Sequence, residues 1–171
     1  MATLIIRDNC MTPDKYIELN FEIPNPFKFY KTSLNLFKMF FEARGMDIWE
    51  REFRWDDTSD PHEFLSKVFV RKSRDQYTYW RAEIFFHGYQ PSDPNRIGRL
   101  RIKIGFILVT RFPEDSFIQK TPIYKALRWF YIYYFYQKWR QQQLVFCRNQ
   151  MLGLRNLFIK LAGMAKEAGI E

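Results

Sequence analysis

From Arg99 to Phe112 the chain alternates: Leu100, Ile102, Ile104, Phe106 and Leu108 fall on one side, Arg99, Arg101, Lys103 and Arg111 on the other. A period of two predicts a strand with one face buried and one wet. Residues 77–89 repeat it, setting Trp80, Ala82, Ile84 and Phe86 against Tyr77, Tyr79, Arg81, Glu83, Phe85 and His87. Tyr16 to Ile23 does so again, with Ile17, Leu19, Phe21 and Ile23 inward. Met46 to Asp56 reads as a strand with Trp49, Phe53 and Trp55 on one face and Ile48, Glu50, Glu52 and Arg54 on the other. Phe64 to Lys72 is rich in β-formers, and Leu4-Ile5-Ile6 is a candidate short strand. Ser73-Arg74-Asp75-Gln76 and Pro91 to Asn95 supply turn chemistry between neighbours, so the expected sheet is an antiparallel meander.

Two segments switch to helical spacing. Asn25 is placed to cap a helix with Pro26 at its first position. That helix is expected to run to about Arg44, with Gly45 as its stop. Thr121-Pro122 opens the second helix in the same way. Apolar residues surround Trp129 to Tyr136 on all sides, which predicts a helix gripped by protein. From Leu144 onward, Cys147, Met151, Leu154, Phe158, Leu161 and Ala165 recur three and four apart and form a seam, interrupted upstream by Gln137 and Arg140. Unbroken from Pro122 to Ala168, this helix would be ~70 Å long, against ~40 Å for a compact domain of this size. It either breaks near Gly153 or projects an end, and the seam from Leu144 serves a partner or a fold-back onto the domain.

The expectation is therefore one α+β domain spanning 1–171: an antiparallel sheet of about five strands, in β-α-β4-α order, wrapping a long C-terminal helix. This order resembles the helix-grip or TBP-like arrangement of the Bet v 1 and START-type ligand-binding proteins. The resemblance implies a cavity for an apolar small molecule or lipid between sheet and helix. Its walls would be Trp49, Phe53, Trp55, Trp80, Phe86, Phe106 and Phe130. The competing expectation is that these rings fill the core.

Charge adds a partner class. Residues 1–121 are nearly balanced at +2, whereas 122–171 carry eight basic and two acidic side chains. A surplus confined to one element points to an anionic partner, or to solubility charge on a greasy helix. Tyr77, Tyr79, Arg81, Arg99, Arg101 and Lys103 on the polar sheet face, with Lys125, Arg128 and Arg140 on the helix, are the candidate contacts for an anion or RNA. Cross-strand pairing with Glu50, Glu52 and Glu83 would produce the same composition for structural reasons. Lys125, Arg128, Lys138 and Arg140 could also meet lipid headgroups, though they do not share one helical side. Homo-oligomerisation through the helix is a further possibility.

Catalytic and cofactor signals are thin. There is no nucleophile elbow, phosphate loop or dinucleotide glycine pattern, so no catalytic, cofactor or metal residue is assigned. The turn from Asp56 to Glu63 has the oxygen density of a cation site but the composition of an ordinary turn. Glu83 and His87 share a strand face ~13 Å apart, too far for a direct pair. Cys10 and Cys147 read as two reduced thiols in a cytoplasmic protein. The N-terminus has no signal-peptide pattern, and no stretch reaches the ~18 uncharged apolar residues of a membrane span.

Overall fold

The longest strand, β6 (Ile97–Glu114), is the spine of the sheet, because three others pair with it. Its first half pairs with β2 (Tyr16–Pro24) and its second with β1 (Ala2–Asn9), so these two lie end to end along one edge. On its other side follow β5 (Thr78–Gln90), β4 (His62–Ser73) and the opposite edge, β3 (Ile48–Asp56). All pairings are antiparallel. This computed structural model describes residues 2–42, 47–93, 96–114 and 116–167. The sheet has six strands rather than about five, because the short run at Leu4 extends to an eight-residue strand.

Two helices cover one face. In α1 (Pro26–Phe40) the Asn25 Oδ1 accepts the Lys28 amide at 3.0 Å, as its sequence predicts. The helix ends at Phe40, short of Arg44, with Glu42 in the left-handed region (φ 45°). Lys72 Nζ donates to the carbonyls of Phe41 and Glu42, each at 2.9 Å, and so satisfies the helix end. Arg44 and Gly45 lie outside the described residues. The C-terminal helix begins as α2 (Pro122–Tyr131), widens to a π turn over Ile132–Tyr136 and continues as α3 (Gln137–Glu167). It does not break at Gly153. That glycine lies against the end of the Phe40 ring, so it serves close approach of α1 rather than interruption.

The core forms where the inner sheet face meets both helices. Leu100, Ile102, Ile104, Phe106 and Leu108 are all essentially inaccessible, as their alternation predicts. The seam closes the same core: Cys147, Met151, Leu154, Phe158 and Ala162 are buried, with Leu144 and Leu161 against them. It is a fold-back onto the domain. Phe158 touches Phe29 and Phe37 of α1 and Phe86 of β5, ring centroids 6.0–6.1 Å apart. Each such ring contributes about 2–3 kcal/mol through burial alone.

The two cysteines are joined, correcting the expectation of reduced thiols. Cys10, just past β1, and Cys147 on α3 form a disulfide, Cα atoms 5.7 Å apart across 137 residues of sequence. The expectation of a cytoplasmic location rested on free thiols and loses that support. No described helix is long and apolar enough to cross a membrane.

Candidate binding surfaces

The seven residues expected to wall a chamber do not meet in one place. Trp80, Phe86 and Phe106 are core, and their neighbours are other rings. Trp80 lies 5.6 Å from Phe106 and 5.4 Å from Phe41, and Phe86 packs on Tyr30 and Phe158. Phe53 and Trp55, about two-fifths exposed, close on Phe27 at the sheet edge. Trp49 points the other way and stacks on Phe69 of the outer face at 5.9 Å. The cause is a bulge between Glu50 and Glu52, where Arg51 is the extra residue. It reverses the parity of the strand, so Ile48 and Glu50 face inward with Phe53 and Trp55. Glu50 thereby accepts from Ser66 Oγ at 2.6 Å and from the Tyr30 hydroxyl. Burial and that carboxylate push the Tyr30 phenol well above its usual value.

Phe130 lies on the part of the helix that the domain does not grip. No residue of α2 is buried. Trp129, Phe130, Tyr131, Tyr133, Tyr134 and Phe135 are 49–70% exposed, and Ile123 and Leu127 more than 60%. Within this run only Ile132 and Tyr136 turn inward, against Phe112 and Leu4. The expectation of an all-round grip is therefore corrected: apolar residues on every side can be left uncovered as well as buried. The exposed rings touch one another. Phe130 meets Tyr134 at 4.5 Å, and contacts five residues apart, Phe130 to Phe135 and Tyr131 to Tyr136, follow from the wide π turn. Between α2 and the sheet end lies an open crevice of about 380 Å³, lined by Tyr77, Phe112, Tyr124, Leu127, Arg128 and Tyr131.

Downstream, side-chain bonds and a disulfide fix the helix. The Tyr136 hydroxyl bonds with Thr78 and donates to Asp75 Oδ2 at 3.3 Å. Burial raises the Tyr136 phenol to about 12. Arg140 Nε donates to Asp8 Oδ2 at 2.8 Å, and then comes the disulfide at Cys147. Arg140 is thus committed to an internal ion pair. Lys125 and Lys138 are exposed on the helix, and Arg128 borders the crevice.

The outer sheet face divides into halves. In one, each predicted cation has a cross-strand partner. Lys103 stands 2.6 Å from Glu18, Arg99 3.8 Å from Glu22, and Arg101 donates to Asn20 Oδ1 at 3.2 Å. The bond from Lys103 holds the Glu18 carboxyl below its usual range. This half is the cross-strand pairing that its composition also allows. In the other half Arg81 pairs with Glu83 at 2.5 Å, and Tyr79 is buried under arginines. Tyr77 leaves the face and packs on Phe112 at 5.2 Å, because it belongs to the turn before β5. Arg51, Arg71 and Arg111 lie here too. None of the three belongs to the expected contact set, although Arg111 falls on the polar side of its strand's alternation.

The weaker chemical candidates resolve into local structure. Asp56 Oδ1 accepts the Thr58 amide at 2.9 Å and its hydroxyl at 2.7 Å, and these bonds lower its pKa. Asp60 accepts the Ser92 amide at 2.9 Å, again lowering its pKa. Among the described residues no group of three metal-ligating side chains forms. His87 pairs across strands with Glu63 at 2.6 Å rather than with Glu83. It borders an open groove of about 510 Å³ with Tyr89, Arg99 and Arg101. Compared with protein-family models and with curated proteins, the sequence matches none.

Proposed function

We propose that the protein is a non-enzymatic binding module that settles on an anionic lipid surface through the aromatic arm, residues 117–138. The carrying observation is the exposure of Trp129, Phe130, Tyr131, Tyr133, Tyr134 and Phe135 along one stretch of helix, the last five linked by ring contacts. Six half-exposed rings leave on the order of 600 Å² of aromatic surface in water, at or above the largest patch of an ordinary soluble monomer. Two further features select the occupant. From Ser116 to Lys166 the chain has no acidic residue, so an anionic cover meets no repulsion from this element. Trp and Tyr prefer the headgroup zone, where a ring is half apolar and half wet, and Lys120, Lys125 and Lys138 flank them. The aliphatic part, Ile118, Ile123 and Leu127, suits acyl chains better than nucleobases, which stack on rings. An interior ligand chamber draws less support, since Trp80, Phe86 and Phe106 already spend their faces on other rings.

Co-sedimentation with vesicles tests this reading. Phosphatidylglycerol vesicles should retain the protein and phosphatidylcholine vesicles should not, with retention falling as salt rises. Phe130→Ser with Tyr134→Ser should abolish retention, and Lys125→Glu should weaken it about tenfold or more, since each cation near an anionic surface contributes about 1 kcal/mol and the change reverses the charge. Protein that stays in the supernatant with both lipids would overturn the proposal. A concentration-dependent dimer lost in the Phe130→Ser, Tyr134→Ser variant would replace it with a protein–protein interface.

A further inference from the structure

The Arg81 half of the outer sheet face carries a second arrangement, independent of the arm. Phe69 on β4 has the Arg51 guanidinium 5.9 Å and the Arg81 guanidinium 5.5 Å from its ring centroid. Tyr79 on β5 has those of Arg71 and Arg111 at 4.1 and 5.3 Å. Each ring is therefore attended by arginines from the strands on either side of its own. The two rings are 5% and 7% exposed, although no helix covers this face. Four guanidiniums thus spread over four adjacent strands, a span of about 14 Å at the usual interstrand spacing.

The charge balance here is unlike the rest of the face. Arg71 sits directly opposite Arg81 in the β4–β5 register, a like-charge pairing that costs stability. Glu83 meets Arg81 at 2.5 Å and accepts from Tyr16 at 3.4 Å. Among the described residues, Arg51, Arg71 and Arg111 have no carboxylate partner. Arginines whose task was only to shield a ring would be expected to pair as Lys103 and Glu18 do on the same face. Stacking also fixes the plane of each guanidinium while leaving its N–H edge able to donate, which suits phosphate oxygens.

We infer that this row of ring-stacked arginines is a binding site for a chain of linked phosphate groups, free or as the polyphosphate of a nucleotide. Arg81 is held by Glu83, and Arg51, Arg71 and Arg111 on neighbouring strands leave N–H edges that can meet successive phosphates. Phe69 and Tyr79 are already covered by guanidiniums, so the two rings themselves offer no stacking platform to a run of nucleobases. The contacts fall on phosphate alone.

Titration calorimetry at low salt with inorganic tripolyphosphate tests the assignment. The wild type should bind, and Arg71→Ala with Arg111→Ala should weaken binding about tenfold or more, with Arg71→Lys giving an intermediate loss. Arg99→Ala with Arg101→Ala, on the acid-paired half, should change affinity less than about twofold. Phe130→Ser with Tyr134→Ser should leave tripolyphosphate binding intact, which separates this site from the arm. The changed arginines are exposed, and an unaltered melting transition would show that the variants fold. Equal affinity for tripolyphosphate and a nucleoside triphosphate supports the free chain as ligand, and tighter binding of the nucleotide supports the nucleotide source. No wild-type binding, or binding indifferent to Arg71 and Arg111, overturns the inference. So does a single-stranded RNA oligomer binding more tightly than both.

Discussion

Arg140 of the C-terminal helix directs its guanidinium onto Asp8 of the first strand, with Nε 2.8 Å from Oδ2. The two side chains are only 15% and 28% exposed, so this is a shielded ion pair and not a surface one. Two residues beyond Asp8 the chain reaches Cys10, which holds Cys147, two helical turns along from Arg140. The end of β1 therefore grips α3 twice, and Tyr136 adds a third hold through Thr78 and Asp75. Upstream of Ile132 no residue of α2 is buried, and the rings from Trp129 to Tyr131 stay exposed.

Removing either end of the ion pair strands a half-buried charge. Asp8→Ala and Arg140→Ala should each cost about 1.5–3 kcal/mol, and the double variant should cost less than their sum by about 1 kcal/mol. Urea midpoints of the four proteins measure this. Strict additivity would show that the pair contributes nothing.

Guanidinium-unfolded protein, kept from reductant, should yield no free thiol. Cys10→Ser with Cys147→Ser should destabilise the fold by about 2–5 kcal/mol, since the bridge closes a loop of over one hundred residues. Two reactive thiols per chain would contradict the bridge.

Alkaline pH should loosen the upper attachment. Tyr136 ionises near 12 in the folded state, against an ordinary value of 10, because burial opposes the phenolate. A raised folded value means the folded state holds its proton more tightly, so the stabilisation is complete below pH 10 and drains away between pH 10 and about 12. Tyr30, raised likewise, adds to the loss from pH 10 upward. Denaturant midpoints across that range should fall, and Tyr136→Phe should fall less steeply than the wild type.

Phe158 and Phe130 are the same residue type on one helix with opposite surroundings. Phe158→Ala should cost about 3–5 kcal/mol through the void left among Phe29, Phe37 and Phe86. Phe130→Ala should cost under about 1 kcal/mol, because its ring is 55% exposed. Comparable losses in thermal or urea unfolding would mean that the arm is packed into the domain.

Strands β2, β5 and β6 were legible because a period of two is written directly in Ile17 to Ile23, Trp80 to Phe86 and Leu100 to Leu108. Both helix starts were legible for a local reason too, since Asn25-Pro26 and Thr121-Pro122 carry their caps within a few residues. Strand β3 misled because one extra residue at Arg51 shifts the parity of all that follows, and no local signal marks a bulge of that kind. The Cys10–Cys147 bond joins positions whose neighbourhood exists only after folding. The Trp129–Tyr136 segment was misread for a different reason. Hydrophobicity reports that a surface wants to leave water, and it is silent on whether the same chain or another body provides the cover. Arg71 and Arg111 were overlooked because a single strand does not reveal which rings its neighbours bring alongside.

The π turn over Ile132–Tyr136 also sets the direction in which the arm's rings face. It holds one residue more than a regular turn, and each residue of an α-helix advances the azimuth by about 100°. Taking out one residue there would swing every ring upstream by roughly that angle, while Arg140, Cys147 and the seam below kept their seats. The compass bearing of the arm is thus set separately from the domain that carries it.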